Sequence, residues 1–353
     1  MKIKLEYVWL DGYEPEPNLR SKIKVLDVPF EGESSFSPMH WARNHFSKIP
    51  EWNFDGSSTR QADGKLSDCI LKPVKMYADP LKGGFSFIVL CEVLNSDYSP
   101  HTSNFRAKIN DEDFNTWFGF EQEYVLRWFN KDKTLPVGFE NFRVPEEQGK
   151  YYCSIGHPYS AGREISEQHL EACLSCGINI TGTNAEVMLG QWEYQIFGQG
   201  EKAAADDLWI SRFLLVRIAE SYKIKVDFHP KPMGEHEDWN GSGMHTNFST
   251  FEMRESGGKE YFEQICEELG KTHETAISLY GSDNRMRLTG KHETQSIDKF
   301  SWGVSDRGAS IRIPLSTSQT WKGYLEDRRP GSNADPYKIT NYLSGVINSI
   351  LPK

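Results

Sequence analysis

The chain has 353 residues, 25% of them charged, with 50 acids against 40 lysines and arginines for a formal charge of -10. That length suits two domains with substantial cores, and the acidic balance gives no global attraction for nucleic acid, so an anionic substrate must meet positive charge gathered locally. No apolar run nears the roughly 18 residues of a membrane span, "MKIKLEYVWL" lacks a signal peptide's apolar core, and six cysteines in so long a chain read as reduced thiols, so a cytoplasmic protein without a membrane partner is expected.

In chain order, "KIKLEYVWLD" alternates Ile3, Leu5, Tyr7 and Trp9 with polar neighbours, and "GGFSFIVLCEVL" is an apolar run behind a glycine pair. Both predict strands of a small, mostly β unit. "NSDYSPHTSNFR", residues 95–106, is dense in turn formers and marks the boundary between domains of 1–100 and 101–353. Beyond it, strands with one polar face recur at "GFEQEYVL", "GQWEYQIF", "GMHTNFST" and "GASIRIP", among helices expected over 163–176, 201–222, 257–280 and 336–350. The last helix sets Ile339, Tyr342, Leu343, Val346, Ile347 and Ile350 on one stripe behind Pro336, an early helical position. Cys173 and Cys176 fall in a helix and are expected to pack rather than clip a metal.

The polar strand faces carry the chemistry. Glu121 and Glu123 share one face of "GFEQEYVL" while Phe120, Gln122 and Tyr124 point the other way. Two anions roughly 6 to 7 Å apart repel by about 2 to 3 kcal/mol at an effective dielectric of about 20, so a shared proton, arginines or a hard cation must offset them. Glu193 lies on the face of Gln191 and Gln195, Glu186 precedes it across a glycine, and His245, Asn247 and Ser249 align on a third strand. Carboxylates with one imidazole suit Mg²⁺ or Mn²⁺, and unpaired buried acids among Trp, Phe and Tyr are costly. Toward the C-terminus Arg307, Arg312, Arg328 and Arg329 surround Glu326, and Arg287 adds another cation. Planar guanidinium forks suit phosphates and carboxylates. Gly281 and Gly290 bracket a candidate mobile loop with Glu293 at its tip.

"EWNFDGSST", "FEQEY", "AEVMLGQWEYQI", "NGSGMHTNFST", "DNRMRLTGKHET" and "YLEDRRPGSNADPY" resemble, in order from Trp52 to Tyr337, the successive motifs of the glutamine synthetase family in its eukaryotic-like type II form. The resemblance implies an α+β fold, with a small N-terminal β-grasp domain before a larger catalytic domain built on an open antiparallel β-barrel with surrounding helices. It implies ATP-dependent ligation of ammonia to glutamate through γ-glutamyl phosphate. Matched motif by motif, Glu123, Glu186 and Glu193 would hold one divalent metal, and Glu121, His245 and Glu326 another on the ATP phosphates. Arg307 and Arg312 would serve the phosphates, and Asn247 and Ser249 the nucleotide. Arg287 and the Gly241 backbone would orient glutamate, Arg328 would lie at the transferred group, Asp55 would bind ammonium, and Glu293 would close over the site.

The resemblance further implies a homo-oligomer, a decamer of two stacked five-membered rings with sites between adjacent subunits. Two departures stand out. Pro145, Glu146 and Glu147 replace a usual Gly/Pro-rich run, and the chain begins at its first strand, without the helical extension of many relatives. The alternatives are a γ-glutamyl ligase for another amine and a catalytically inactive structural relative. Asp55 and Glu293 weigh against the first, and the filled ligand and arginine positions against the second.

Overall fold

β1 (Lys2–Leu10) is covered on both faces along its second half, because it lies inside a five-stranded sheet ordered β2 (Leu19–Asp27), β1, β5 (Ser86–Leu94), β4 (Asp68–Ala78) and β3 (Trp52–Asp55). The computed structural model describes residues 1–28, 41, 44–109, 113, 115–129, 135–235 and 238–350. β1 and β5 run parallel and the other pairs antiparallel. Ile3, Leu5, Tyr7 and Trp9 project from β1 into one core with Leu71, Phe87, Val89 and Cys91, which is the alternation expected of that strand. β4 slips register between Pro73 and Lys75, where proline withholds a ladder donor. This is a β-grasp sheet, in a unit comprising Met1–Asn110 with Glu171–Ile178.

The second unit, Asp111–Leu170 with Asn179–Lys353, is organised on β6 (Trp117–Trp128). In chain order there follow α1 (Arg163–Cys176), of which residues 171–176 count with the first unit, then β7 (Ile180–Ala185), β8 (Gln191–Gln199), α2 (Glu201–Ser221), β9 (Ile224–Asp227), β10 (Met244–Ser249) and α3 (Phe251–Glu255). The remainder is α4 (Lys259–Lys271), α5 (His273–Leu279), β11 (Trp302–Val304), β12 (Ile311–Ile313), α6 (Leu315–Thr320), β13 (Leu325–Asp327) and α7 (Pro336–Ile350). The sheet runs β11-β12-β13-β10-β6-β8-β7, with β9 also paired to β6. The expected antiparallel architecture needs one correction, since β11 and β12 are parallel.

Phe118, Phe120, Gln122 and Tyr124 are fully buried on one face of β6. There the buried Arg212 of α2 donates to Gln122 Oε1 and to the carbonyls of Ser332 and Ala334, and burial lowers its pKa to about 10. Those bonds fix the strand whose opposite face carries the acids. Helix α7 starts where expected: Pro336 needs no partner for a missing N–H, and Asp335 accepts from the Tyr337 N–H. The single helix expected over 257–280 is two, broken at Thr272, whose hydroxyl bonds the Glu268 carbonyl and the Tyr342 hydroxyl. No described helix is long and apolar enough to cross a membrane.

Candidate active site

Strand register assembles the site. β6 and β8 set Glu123 directly opposite Glu193, and β10 sets His245 opposite Glu121. One strand on, Glu326 of β13 aligns with Asn247 on one side and Arg312 on the other. Directly opposed residues have Cβ atoms about 4.5 to 5.5 Å apart, so the ladder itself packs like charges together.

A cavity of about 590 Å³ in the second unit is lined by Glu121, Glu123, Glu186, Glu193, Gly241, His245, Arg287, Glu293, Arg307, Arg312, Glu326 and Arg328. Of the residues given a site role from the sequence, only Asn247, Ser249 and Asp55 are missing from these; Arg329, expected around Glu326, instead pairs with the buried Asp327 at 2.7 Å and lies outside the cavity lining. Asn247 and Ser249 line a neighbouring cavity of about 420 Å³, walled mainly by Trp117, Phe118, Ile196, Phe197 and Tyr324, which shares Glu121 and Gln195 with the first. Asn247 also donates to Glu121 Oε1 at 2.7 Å. Asp55 belongs to the first unit, where it caps the 3-10 turn Gly56–Thr59 and accepts from the Ser57 hydroxyl at 2.7 Å and N–H at 3.0 Å. The Ser57 bonds hold its carboxyl below the usual range, ionised and exposed.

The cavity acids divide by what neutralises them. Glu326 is buried, with Oε2 taking Arg312 Nη1 and Oε1 taking Arg328 Nη1, each at 2.6 Å. His245 Nδ1 faces Glu121 Oε2 at 3.5 Å and Glu326 Oε1 at 3.7 Å, while its Nε2 accepts from Arg287 Nη2 at 3.0 Å. Burial, then Arg328, keeps this imidazole well below its usual pKa, hence neutral. Arg287 reaches it because residues 241 and 243 are glycine: a Cβ would stand 2.6 Å from Arg287 Cγ at 241 and 2.4 Å from Nη2 at 243.

Glu123, Glu186 and Glu193 are held instead by amides. Gln191 and the Gly243 N–H donate to Glu123, Asn184 and the Val187 N–H to Glu186, and Gln195 to Glu193. Among the described residues none of the three has an arginine or lysine ion pair. Burial, then Glu186, pushes Glu123 up to about 8, and burial pushes Glu186 up to about 7. Burial and the neighbouring Glu121, Glu123 and Glu186 raise Glu193 well above the usual range. Without a cation, burial and mutual repulsion favour the protonated forms of this trio.

Donor chemistry agrees with a hard cation. One atom each of Glu121, His245 and Glu326 lie within 4.8 Å of one another, and the second trio supplies only oxygens. The arginines on Glu326 already take a share of that carboxylate.

Glu293 is not at the tip of a loop between Gly281 and Gly290, which holds the 3-10 turn Asn284–Met286, but on the next turn, closed by a bridge between Thr289 and Ser296. Gly290, His292 and Glu293 all have positive φ, and the left-handed conformation costs non-glycine residues on the order of 1 to 2 kcal/mol each. Glu293 Oε2 lies 3.9 Å from Arg307 Nη1 in an exposed pair. In the divergent loop, Glu146 bonds the Tyr159 hydroxyl at 2.7 Å and Lys150 at 3.0 Å; Gly149 and Tyr152, not Glu146, reach the cavity. Sequence reasoning passed over Asn184, Gln191, Gln195, Asn240 and His292 as functional residues. Gln191 and Gln195 shared the polar face of Glu193, and that shared face was the available signal.

The glutamine synthetase β-grasp domain model matches residues 2–96, and the glutamine synthetase catalytic domain model matches 103–278. The chain is 50% identical over 353 residues to glutamine synthetase of Bradyrhizobium diazoefficiens, covering 99% of this chain and 97% of the relative. It is 46% identical to that of Yarrowia lipolytica, covering 98% and 91%. The chain belongs to the glutamine synthetase family. A cryoEM structure of Plasmodium falciparum glutamine synthetase shares its fold, with a TM-score of 0.74 at 16% identity, over 99% of this chain and 73% of the other. The two glutamine synthetase domain models meet across residues 97–102, inside the segment of turn formers.

Proposed function

We propose that the chain is a glutamate–ammonia ligase making L-glutamine, ADP and phosphate from L-glutamate, ammonia and ATP. The observation that carries this reading is a cavity pairing six glutamates with Arg287, Arg307, Arg312 and Arg328 in a chain of the glutamine synthetase family. In the first step a γ-carboxylate oxygen of glutamate bonds to the γ-phosphorus of ATP as the β–γ bridging oxygen leaves with ADP. In the second, ammonia attacks the acyl carbon and phosphate departs.

The first step gathers anions, and each arginine has a place in offsetting them. Arg307 and Arg312 bind phosphate oxygens, and Arg328 stands where charge develops on the transferred group. Arg287, seated on Gly241 and Gly243, orients the glutamate α-carboxylate beside the Gly241 backbone. Glu123, Glu186 and Glu193 would hold one divalent cation, and Glu121, His245 and Glu326 a second. When bound, Mg²⁺ or Mn²⁺ supplies charge neutralisation at the reacting carboxylate and phosphate oxygens. Asn247 and Ser249 face the nucleotide, and the apolar cavity they line suits a purine between Trp117 and Tyr324. Asp55, kept anionic by Ser57, binds ammonium and takes its proton, and Glu293 closes over the acyl phosphate to exclude water.

The deciding assay supplies ATP, glutamate and Mg²⁺ with ammonium, hydroxylamine or a polyamine in parallel. Ammonium as the preferred amine supports the ligase; a polyamine preference, or no turnover with any amine, overturns it. Domains of 1–100 and 101–353, a cytoplasmic setting and a decamer of two stacked pentameric rings complete the proposal, with Asp55 of one subunit serving the cavity of its neighbour. Asp55→Ala and Arg328→Ala proteins, each inactive alone, would then complement on mixing, with an intact pair at about a quarter of randomly formed interfaces. No recovery after mass spectrometry confirms subunit exchange would place the whole site in one chain.

A further inference from the structure

We infer that His292 is a positioning residue, a latch that fastens the Glu293 turn to the segment 238–240 and so sets where Glu293 stands over the cavity. This rests on the proposed ligase reading for its catalytic consequence, but the latch itself is read from geometry.

The hydrogen-bond chain fixes its own proton positions. The Asn240 N–H donates to Gln148 Oε1 at 2.7 Å, so the other end of that amide is the NH₂ group. Gln148 Nε2 stands 3.1 Å from His292 Nδ1, which must therefore accept. The remaining ring nitrogen, Nε2, carries the hydrogen and donates to Asp238 Oδ1 at 2.7 Å. Asp238, His292, Gln148 and the Asn240 backbone thus form a closed loop of bonds in which one imidazole uses both nitrogens, one as donor and one as acceptor.

The position matters because the backbone there is strained and its other ties are at the edges of the turn: Thr294 bonds the Arg287 and Lys291 carbonyls, and Arg328 Nη2 reaches the Glu293 carbonyl only at 3.4 Å. His292 and Glu293 are consecutive non-glycine residues at φ of 52° and 58°, a conformation that persists only where surrounding contacts enforce it. His292 is the member of that pair with two side-chain anchors; the Glu293 carboxylate is left with the long, exposed approach to Arg307. Both residues line the cavity, as do Gly149, Asn240 and Gly241 from the segments the latch ties together. Cutting the latch frees the turn to leave its left-handed form and carries Glu293 away from the acyl phosphate it would shield.

The test uses the full-length protein, His292→Ala and Asp238→Ala; the Asp238 side chain is 90% exposed, so its removal spares the core. Hydrogen exchange across 289–296 should speed up by about tenfold or more in both variants. Phosphate released per glutamine should rise about threefold or more with the KM for ATP within about twofold, and His292→Gln should restore part of the coupling. The double variant should match His292→Ala alone. Unchanged exchange and a one-to-one ratio in both single variants would overturn the latch. If the unmodified protein makes no glutamine, the ligase reading fails while the exchange measurement still judges the latch. Exchange unchanged in both variants counts against it whatever the activity.

Discussion

The two halves of the cavity solve the same problem in opposite ways. Around Glu326, fixed arginines supply the positive charge, one on each carboxylate oxygen. Around Glu123, Glu186 and Glu193 the hydrogen-bond donors are amides, with Arg287 and Arg328 acting on Glu123 without an ion pair, and the acids rise toward neutrality instead. A guanidinium is always present and cannot be exchanged, so Glu326 keeps a counter-charge whether or not a cation joins Glu121 and His245 beside it. The second half holds charge only when something mobile brings its counterpart, which is what a reversible cation site requires.

The sharpest way to break that comparison is to neutralise one acid from each half. Glu193→Gln should lower activity by roughly a hundredfold to a thousandfold or more, since it removes a proposed ligand where reaction charge would be offset. In metal-free protein the same change should raise Tm, because one of three crowded acids is gone. Glu326→Gln should also cripple activity but lower Tm, because Arg312 and Arg328 lose a buried partner. Calorimetry on both variants in chelator separates the two; equal Tm shifts of the same sign would erase the distinction. Undiminished turnover in excess chelator would sink the metal reading itself.

Glu293 belongs to neither half, being exposed and only loosely approached by Arg307. Glu293→Ala should still phosphorylate glutamate but lose coupling, with phosphate exceeding glutamine by several-fold. A strict one-to-one ratio in that variant would assign Glu293 no part in shielding.

Much of this was legible in the sequence because strand periodicity is a local rule. Alternation placed Glu121, Glu123 and Glu193 on one kind of face and Phe120 and Tyr124 on the other, and the core packing agrees. What alternation cannot reveal is register. Nothing local says that Glu123 meets Glu193 while Glu121 meets His245, or that Arg312 stands across the ladder from Glu326, the buried acid that finds arginines. The helix break at Thr272 was hidden for a related reason, since the Tyr342 hydroxyl that meets the Thr272 hydroxyl lies 70 residues away. His292 escaped notice because its partners, Gln148 and Asp238, are distant in sequence.

The smallest expected effect is on stability, and it carries a definite sign. Glu123 and Glu186 titrate near 8 and 7 in the metal-free fold but near 4.5 when unfolded, so between these values the native state binds more protons than the unfolded one. Stability therefore falls as pH rises above about 4.5, through the range where Glu186 and Glu123 titrate, and Glu193, raised in the same direction, adds to the fall. Metal-free protein should lose several degrees of Tm between pH 5.5 and 8.5 from this source. On the proposed reading Mg²⁺ would bind the ionised trio and not the unfolded chain, and its stabilisation should then grow over the same interval. In Glu123→Gln the slope should shrink and the Mg²⁺ increment with it, whereas Arg312→Ala, which acts on the other half, should leave the slope in place. Scans of Tm against pH with and without Mg²⁺ decide the matter, and a metal-free Tm that climbs from pH 5.5 to 8.5 would mean the trio is already ionised and neutralised by something other than protons.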